Sequence, residues 1–192
     1  MINDKIFGFI YGLALRDATI RVTESGVKDK LLKNVKIKEL VKHYAEDIIE
    51  GKEPDFYKVA QNIESNKDGV KITFGNIQKL LNMTMKYLYI KYYDDADVRR
   101  YFRVCHAPLD GIMRDFVYTK YKDLFGKAPK YRKSMSWSTL ELGNKDYIES
   151  YKQFQQAVRD IINESKLNMI PIELDYVAWK NDPKEELKNF NE

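Results

Sequence analysis

The stretch Thr73–Tyr93, TFGNIQKLLNMTMKYLYIKYY, most constrains what this chain can become. At helical spacing Phe74, Ile77, Leu80, Leu81, Met83, Met85, Tyr87, Leu88 and Ile90 spread over an arc of roughly 220°, far wider than the stripe of a surface helix. A helix so apolar must be covered on several sides, which makes it the central member of a bundle. It is not a membrane span, because Gln78, Lys79, Asn82 and Lys86 interrupt every run of about 18 apolar residues. Those four side chains form a polar strip, continued by Gly75, Tyr89 and Tyr93, and it has two readings. Either it is the helix's one solvated edge, or it is an amide-and-lysine row lining a pocket for a polar or anionic ligand.

The rest of the chain carries the same period between recognisable stops. A first helix over 3–23 has Gly8 and Gly12 one turn apart, a spacing that admits a close neighbouring backbone. Its Asp17 is placed to reach Arg21 one turn on. A second helix over 34–50 sets Ile37, Leu40, Val41, Tyr44 and Ile48 on one seam and leaves His43 on the charged face. Pro54 opens a third over 54–65, and Pro108 opens another that runs to Phe125, with Ile112, Phe116, Tyr121 and Leu124 as its core. An irregular basic loop occupies 126–143, followed by a helix over 145–164. Alternation at Ile172, Leu174 and Tyr176 against Glu173 and Asp175 suggests a short strand or extended arm near 170–179, and Asp182-Pro183-Lys184-Glu185 reads as a last helix start. The expected architecture is all-α: one domain over 1–192, a bundle of about six to eight helices around 73–93.

Length and composition agree with one globular domain, since 192 residues with 44% hydrophobic and 32% charged side chains can bury a core. The single cysteine, Cys105, excludes an internal disulfide and suits a reducing compartment; with no secretory leader in view, a cytoplasmic location follows. The wealth of Lys, Asn, Ile and Tyr fits AT-rich codons and so a low-GC bacterium or its phage. The net charge of +4 is unevenly spread: 114–133 carries about +5 and 134–192 about −4. Such asymmetry points to a charged partner.

Metal and cofactor chemistry find little support. Two histidines and one cysteine are too few for a Cys/His zinc site. Asp94, Asp95 and Asp97 match no calcium loop and instead suit a helix N-terminus. No cofactor and no metal are expected. The opening helix, Gly8-Phe9-Ile10-Tyr11-Gly12-Leu13-Ala14-Leu15-Arg16-Asp17-Ala18, resembles that of ADP-ribosylglycohydrolases over about eleven residues. Arg16 stands where that family has glycine, and the family's acidic metal motifs do not follow downstream.

Two functional readings remain. In the catalytic one, Arg99, Arg100 and Arg103 precede His106 by seven, six and three residues, an arrangement that resembles the Arg-x4–6-His motif of HEPN-type ribonucleases, helical bundles that cut RNA without metal. The resemblance implies an arginine holding phosphate, His106 exchanging the proton, Asp110 nearby, and a site completed by dimerisation. A homodimer is therefore left open. In the binding reading, Lys120, Lys122, Lys127, Lys130, Arg132 and Lys133 interleave with Tyr131 and Trp137, and with Tyr118 and Tyr121. Cations would contact phosphates or carboxylates, and rings would stack on unpaired bases. The sequence leans to the second: a non-enzymatic binding protein whose partner is an acidic protein or a nucleic acid, RNA before duplex DNA.

Overall fold

The computed structural model describes residues 1–22, 24–131, 133–134 and 136–180. Arg132 and the helix start expected at Asp182–Glu185 lie outside the described residues. All regular structure among them is helical, with nine α-helices and no strand, an all-α bundle as expected. The chain forms two compact units, Met1–Val104 and Cys105–Glu192.

The first unit holds α1 (Asp4–Thr19), α2 (Val27–Lys33), α3 (Val35–Ile49), α4 (Phe56–Ser65), α5 (Phe74–Lys91) and the one-turn α6 (Ala96–Arg99), followed by a 3-10 turn at Arg100–Val104. Most of these helices start where a short polar side chain can take the first free N–H groups. Asn3 accepts from Lys5 and Ile6, Asn34 from Ile37, and Asp55 from Tyr57 and Lys58. Asp95 does the same for Val98, so part of the aspartate run is a cap. Helix α6 thus begins at the aspartate run, as a helix N-terminus there implied, whereas α2 is too short to show a period in sequence.

Helix α5 packs along α1 and touches α3 and α4. It is buried even further round than its apolar arc requires: Gln78 and Asn82 are 0% and 1% exposed, and Lys79 is 7% exposed. The solvated edge expected there is confined to its C-terminal end, where Lys86 is half-buried and Tyr93 is exposed. Burying amides without partners costs about 1–3 kcal/mol each, and the helix meets much of this from within. Asn82 Nδ2 donates to Gln78 Oε1 at 3.0 Å, and Gln78 Nε2 donates to the Gly75 carbonyl at 3.1 Å. At the N-terminus Thr73 and Asn76 cap each other, and Asn76 Nδ2 donates to the Ala18 carbonyl at 2.7 Å, tying α5 to the end of α1. Further along, the Tyr87 hydroxyl donates to the Asp17 carboxylate, which also lies 3.7 Å from Arg16 Nε.

The Gly8–Gly12 pair does not mark a close backbone approach. A Cβ at Gly8 would stand 3.5 Å from Lys38 Nζ, and one at Gly12 would stand 3.9 Å from Leu32 Cδ2, both ordinary contacts with side-chain tips. Gly51 is the position that needs glycine: φ is +81°, and a Cβ would come within 2.8 Å of the Tyr101 ring.

The second unit packs α7 (Gly111–Phe125), α8 (Lys145–Glu164) and α9 (Pro171–Trp179) against one another, with a 3-10 turn at Trp137–Thr139. Helix α7 starts three residues later than Pro108 suggested, because Asp110 is its cap: the carboxylate accepts the Met113 N–H at 2.9 Å. That start turns Met113 and Val117 inward and leaves Ile112 43% exposed, so the core face is rotated from the expected Ile112, Phe116, Tyr121 and Leu124. The apolar residues of α7 lie all round its axis, and sequence alone could not choose among its faces. The segment 170–179 is helix rather than strand or arm. Pro171 supplies the helical φ at the first position, and Glu173 Oε2 accepts the Ile170 N–H at 2.8 Å. Five residues of alternation fit either period, and burial of Ile172, Leu174, Asp175, Val177 and Ala178 wraps the helix on most sides.

Candidate functional site

The hexapeptide Cys105–Asp110 has no regular secondary structure and is held to α8 by three side chains spaced four residues apart, Tyr151, Gln155 and Arg159. This spacing puts them on one helix face. His106 Nδ1 lies 3.1 Å from Tyr151 Oη, and the rings meet edge to face with centroids 5.5 Å apart. Gln155 grips Ala107 from both ends: its Oε1 accepts the Ala107 N–H at 3.0 Å and its Nε2 donates to the Ala107 carbonyl at 2.8 Å. Arg159 reaches the Cys105 carbonyl at 3.5 Å.

These contacts set the chemistry of the segment. Burial, and then the charge of Arg159, push the His106 pKa down to about 3, so the imidazole is neutral across the physiological range. Burial drives the Cys105 thiol far above its ordinary value, which leaves it a small core residue rather than a nucleophile. Asp110 is 6% exposed and engaged as a cap.

A ribonuclease of the kind its motif resembles needs a histidine that trades protons near neutrality at a helix start. His106 sits in a non-helical segment before α7, with a depressed pKa. The arginines belong to the other unit. Arg99 Nη1 donates to the Tyr93 carbonyl at 3.1 Å and its guanidinium lies 5.2 Å from the Tyr93 ring. Arg100 Nη2 donates to the Tyr101 hydroxyl at 3.1 Å and lies near Asp97, whereas Arg103 is exposed.

The basic segment has a different character. Of the aromatics expected to stack on bases, Tyr131 and Trp137 are each only 4% exposed. Tyr131 pins the loop, donating its hydroxyl to the Arg114 carbonyl at 2.7 Å while its ring meets Phe154 edge-on at 5.4 Å. Tyr118 carries Lys133 Nζ at 4.5 Å over its ring, with Lys122 at 5.9 Å. Tyr121 packs against Phe125 at 4.4 Å. Lys120 is half-buried; Lys122, Lys127, Lys130 and Lys133 are exposed.

Pinning the loop leaves a groove of about 480 Å³ between it and α8. Lys127, Pro129 and Lys130 form the loop side, and Tyr121 of α7 contributes to the lining. The α8 side presents Glu149, Lys152, Gln153, Gln156 and Asp160, a polar face that is easily taken for solvated surface. The signal that could have found it is the repeat of Glu149, Gln153, Gln156 and Asp160 at i, i+4, i+7 and i+11. The groove's two carboxylates already have local donors: Gln153 Nε2 to Glu149 Oε1 at 3.2 Å and Gln156 Nε2 to Asp160 Oδ1 at 2.7 Å. Burial first, and Asp160 second, raise the Tyr121 phenol above its ordinary pKa. Lys127 and Lys130 make no ion pair among the described residues. The groove therefore brings together Lys127 and Lys130 of the expected binding residues, and leaves Tyr131 and Trp137 inside the fold.

No helix among the described residues is long and apolar enough to cross a membrane. No family model, curated protein or solved structure matches the chain.

Proposed function

We propose that the protein acts without catalysis, by binding an anionic macromolecular partner at the groove between the 127–130 segment and α8. The observation that carries this reading is the pair Lys127 and Lys130, exposed at the lip of a formed groove with no carboxylate of their own among the described residues. Exposed ammonium groups held beside a concave surface favour an acidic ligand and speed its encounter. The candidate proton-transfer group, His106, is neutral and bound to α8, which favours binding over turnover.

The test is fluorescence anisotropy with two labelled probes, a glutamate-rich peptide and a single-stranded oligoribonucleotide, at low and moderate salt. At least one probe should bind, weaken with added salt, and lose about tenfold or more in affinity in a Lys127→Glu/Lys130→Glu variant that keeps its helical circular dichroism. No binding of either probe, or binding that survives charge reversal, refutes the reading.

A further inference from the structure

Resting on that reading of the groove, we infer that its occupant is an extended acidic segment of another protein rather than a nucleic acid. The groove separates two kinds of group. The loop offers ammonium donors, Lys127 and Lys130, whereas α8 offers the carboxylates of Glu149 and Asp160 with Lys152 between them in sequence. Each carboxylate accepts a hydrogen bond from a glutamine of its own helix, and Asp160 also meets the Tyr121 phenol. A carboxylate has about four acceptor positions, so both retain capacity for donors brought by a ligand.

A nucleic-acid strand suits this surface poorly. It carries a negative charge at every nucleotide, and its backbone is rich in acceptors. Laid along the lysines, it would bring phosphates toward Glu149 and Asp160, and few of its backbone groups could donate to them. Two of the rings that would compensate by stacking lie inside the fold, Tyr131 and Trp137 at 4% exposed, which leaves Tyr121, packed against Phe125, as the one aromatic lining the groove. An extended peptide has the complementary pattern. Its acidic side chains can reach the lysines, its backbone between them is neutral, and each residue other than proline brings an N–H that a carboxylate can accept. The groove volume of about 480 Å³ fits a segment of a few residues.

The experiment compares a labelled peptide of alternating glutamate and glycine with an oligouridylate of the same net charge, using the full chain at fixed salt. The peptide should bind at least tenfold more tightly. In a Glu149→Gln/Asp160→Asn variant the preference should narrow severalfold, because the repulsion of phosphate is removed and the acceptors for backbone N–H weaken. An oligouridylate that binds as tightly as the peptide, or more tightly, overturns the peptide assignment and leaves anion binding at the groove standing. A preference unchanged in the Gln/Asn variant overturns the role given to the two carboxylates and the peptide assignment with it. Binding of neither probe overturns the anion-binding reading itself.

Discussion

The contact between His106 and α8 makes a quantitative prediction about acid stability. The imidazole has an ordinary pKa of 6.5 and is pushed to about 3 in the fold, by burial and then by Arg159. Between those values the unfolded chain binds a proton that the folded chain does not. The contribution of this group is therefore fully present above the unfolded pKa and is lost as pH falls toward the folded one. Each unit of that window corresponds to about 1.4 kcal/mol, so going from about pH 7.5 to about pH 4.5 should cost the unit roughly 2–3 kcal/mol through His106 alone.

Other groups titrate over the same range, and a His106→Gln variant supplies the reference. Urea unfolding at several pH values can follow tryptophan emission, because both tryptophans, Trp137 and Trp179, belong to the unit that holds His106, and Trp137 is buried there. The stability difference between wild type and variant should shrink by roughly 2–3 kcal/mol on acidification, with nearly all of the change below pH about 6.5. Parallel pH curves for the two proteins would refute the reasoning, since they would mean that His106 accepts its proton as readily folded as unfolded.

Two further outcomes follow from the geometry. A Gln155→Leu variant, which removes both hydrogen bonds to the buried backbone of Ala107, should lose roughly 2–4 kcal/mol in the same urea assay; an unchanged midpoint would show that the clamp contributes nothing. Gly51→Ala and Gly12→Ala should move thermal stability in opposite directions. The first forces a side chain to φ +81° against the Tyr101 ring and should cost roughly 2 kcal/mol or more, whereas the second adds a methyl in ordinary contact with Leu32 and should stabilise α1 by about 0.5–1 kcal/mol. Differential scanning calorimetry reads both, and a destabilised Gly12→Ala would restore the close-packing role that its spacing suggested.

Much of the fold was legible because it depends on local rules. The caps at Asn3, Asn34, Thr73 and Asn144 sit directly before runs of helical period, and α5 is apolar over too wide an arc to be anything but interior. The misreadings arise where two local signals compete. At 170–179 a short alternation outweighed Pro171 and Glu173, which together start a helix. At 108–110 the proline looked like a first helical residue, but the aspartate two positions on supplies the acceptor that the helix needs.

The site was less legible because its decisive facts are contacts between residues far apart in the chain. Nothing local distinguishes Tyr131 and Trp137, set in a lysine-rich loop, from rings held out for stacking. What removes Tyr131 from the surface is the Arg114 carbonyl, seventeen residues before it, and the Phe154 ring on α8. The same contacts explain why a groove exists. A loop rich in lysine would ordinarily repel itself into solvent, gaining little from any single fold-back. Anchoring by a buried tyrosine fixes its path, so that Lys127 and Lys130 stand beside the polar face of α8 rather than sampling many positions. Rings that looked like ligand contacts are thus better understood as the reason the lysines can be ligand contacts. Holding those charges in place before a partner arrives lowers the ordering cost of binding, which gives Tyr131→Phe a diagnostic use. It deletes the hydroxyl bond to Arg114 and leaves every charge in place, so weaker anion binding in that variant would trace to loop positioning alone.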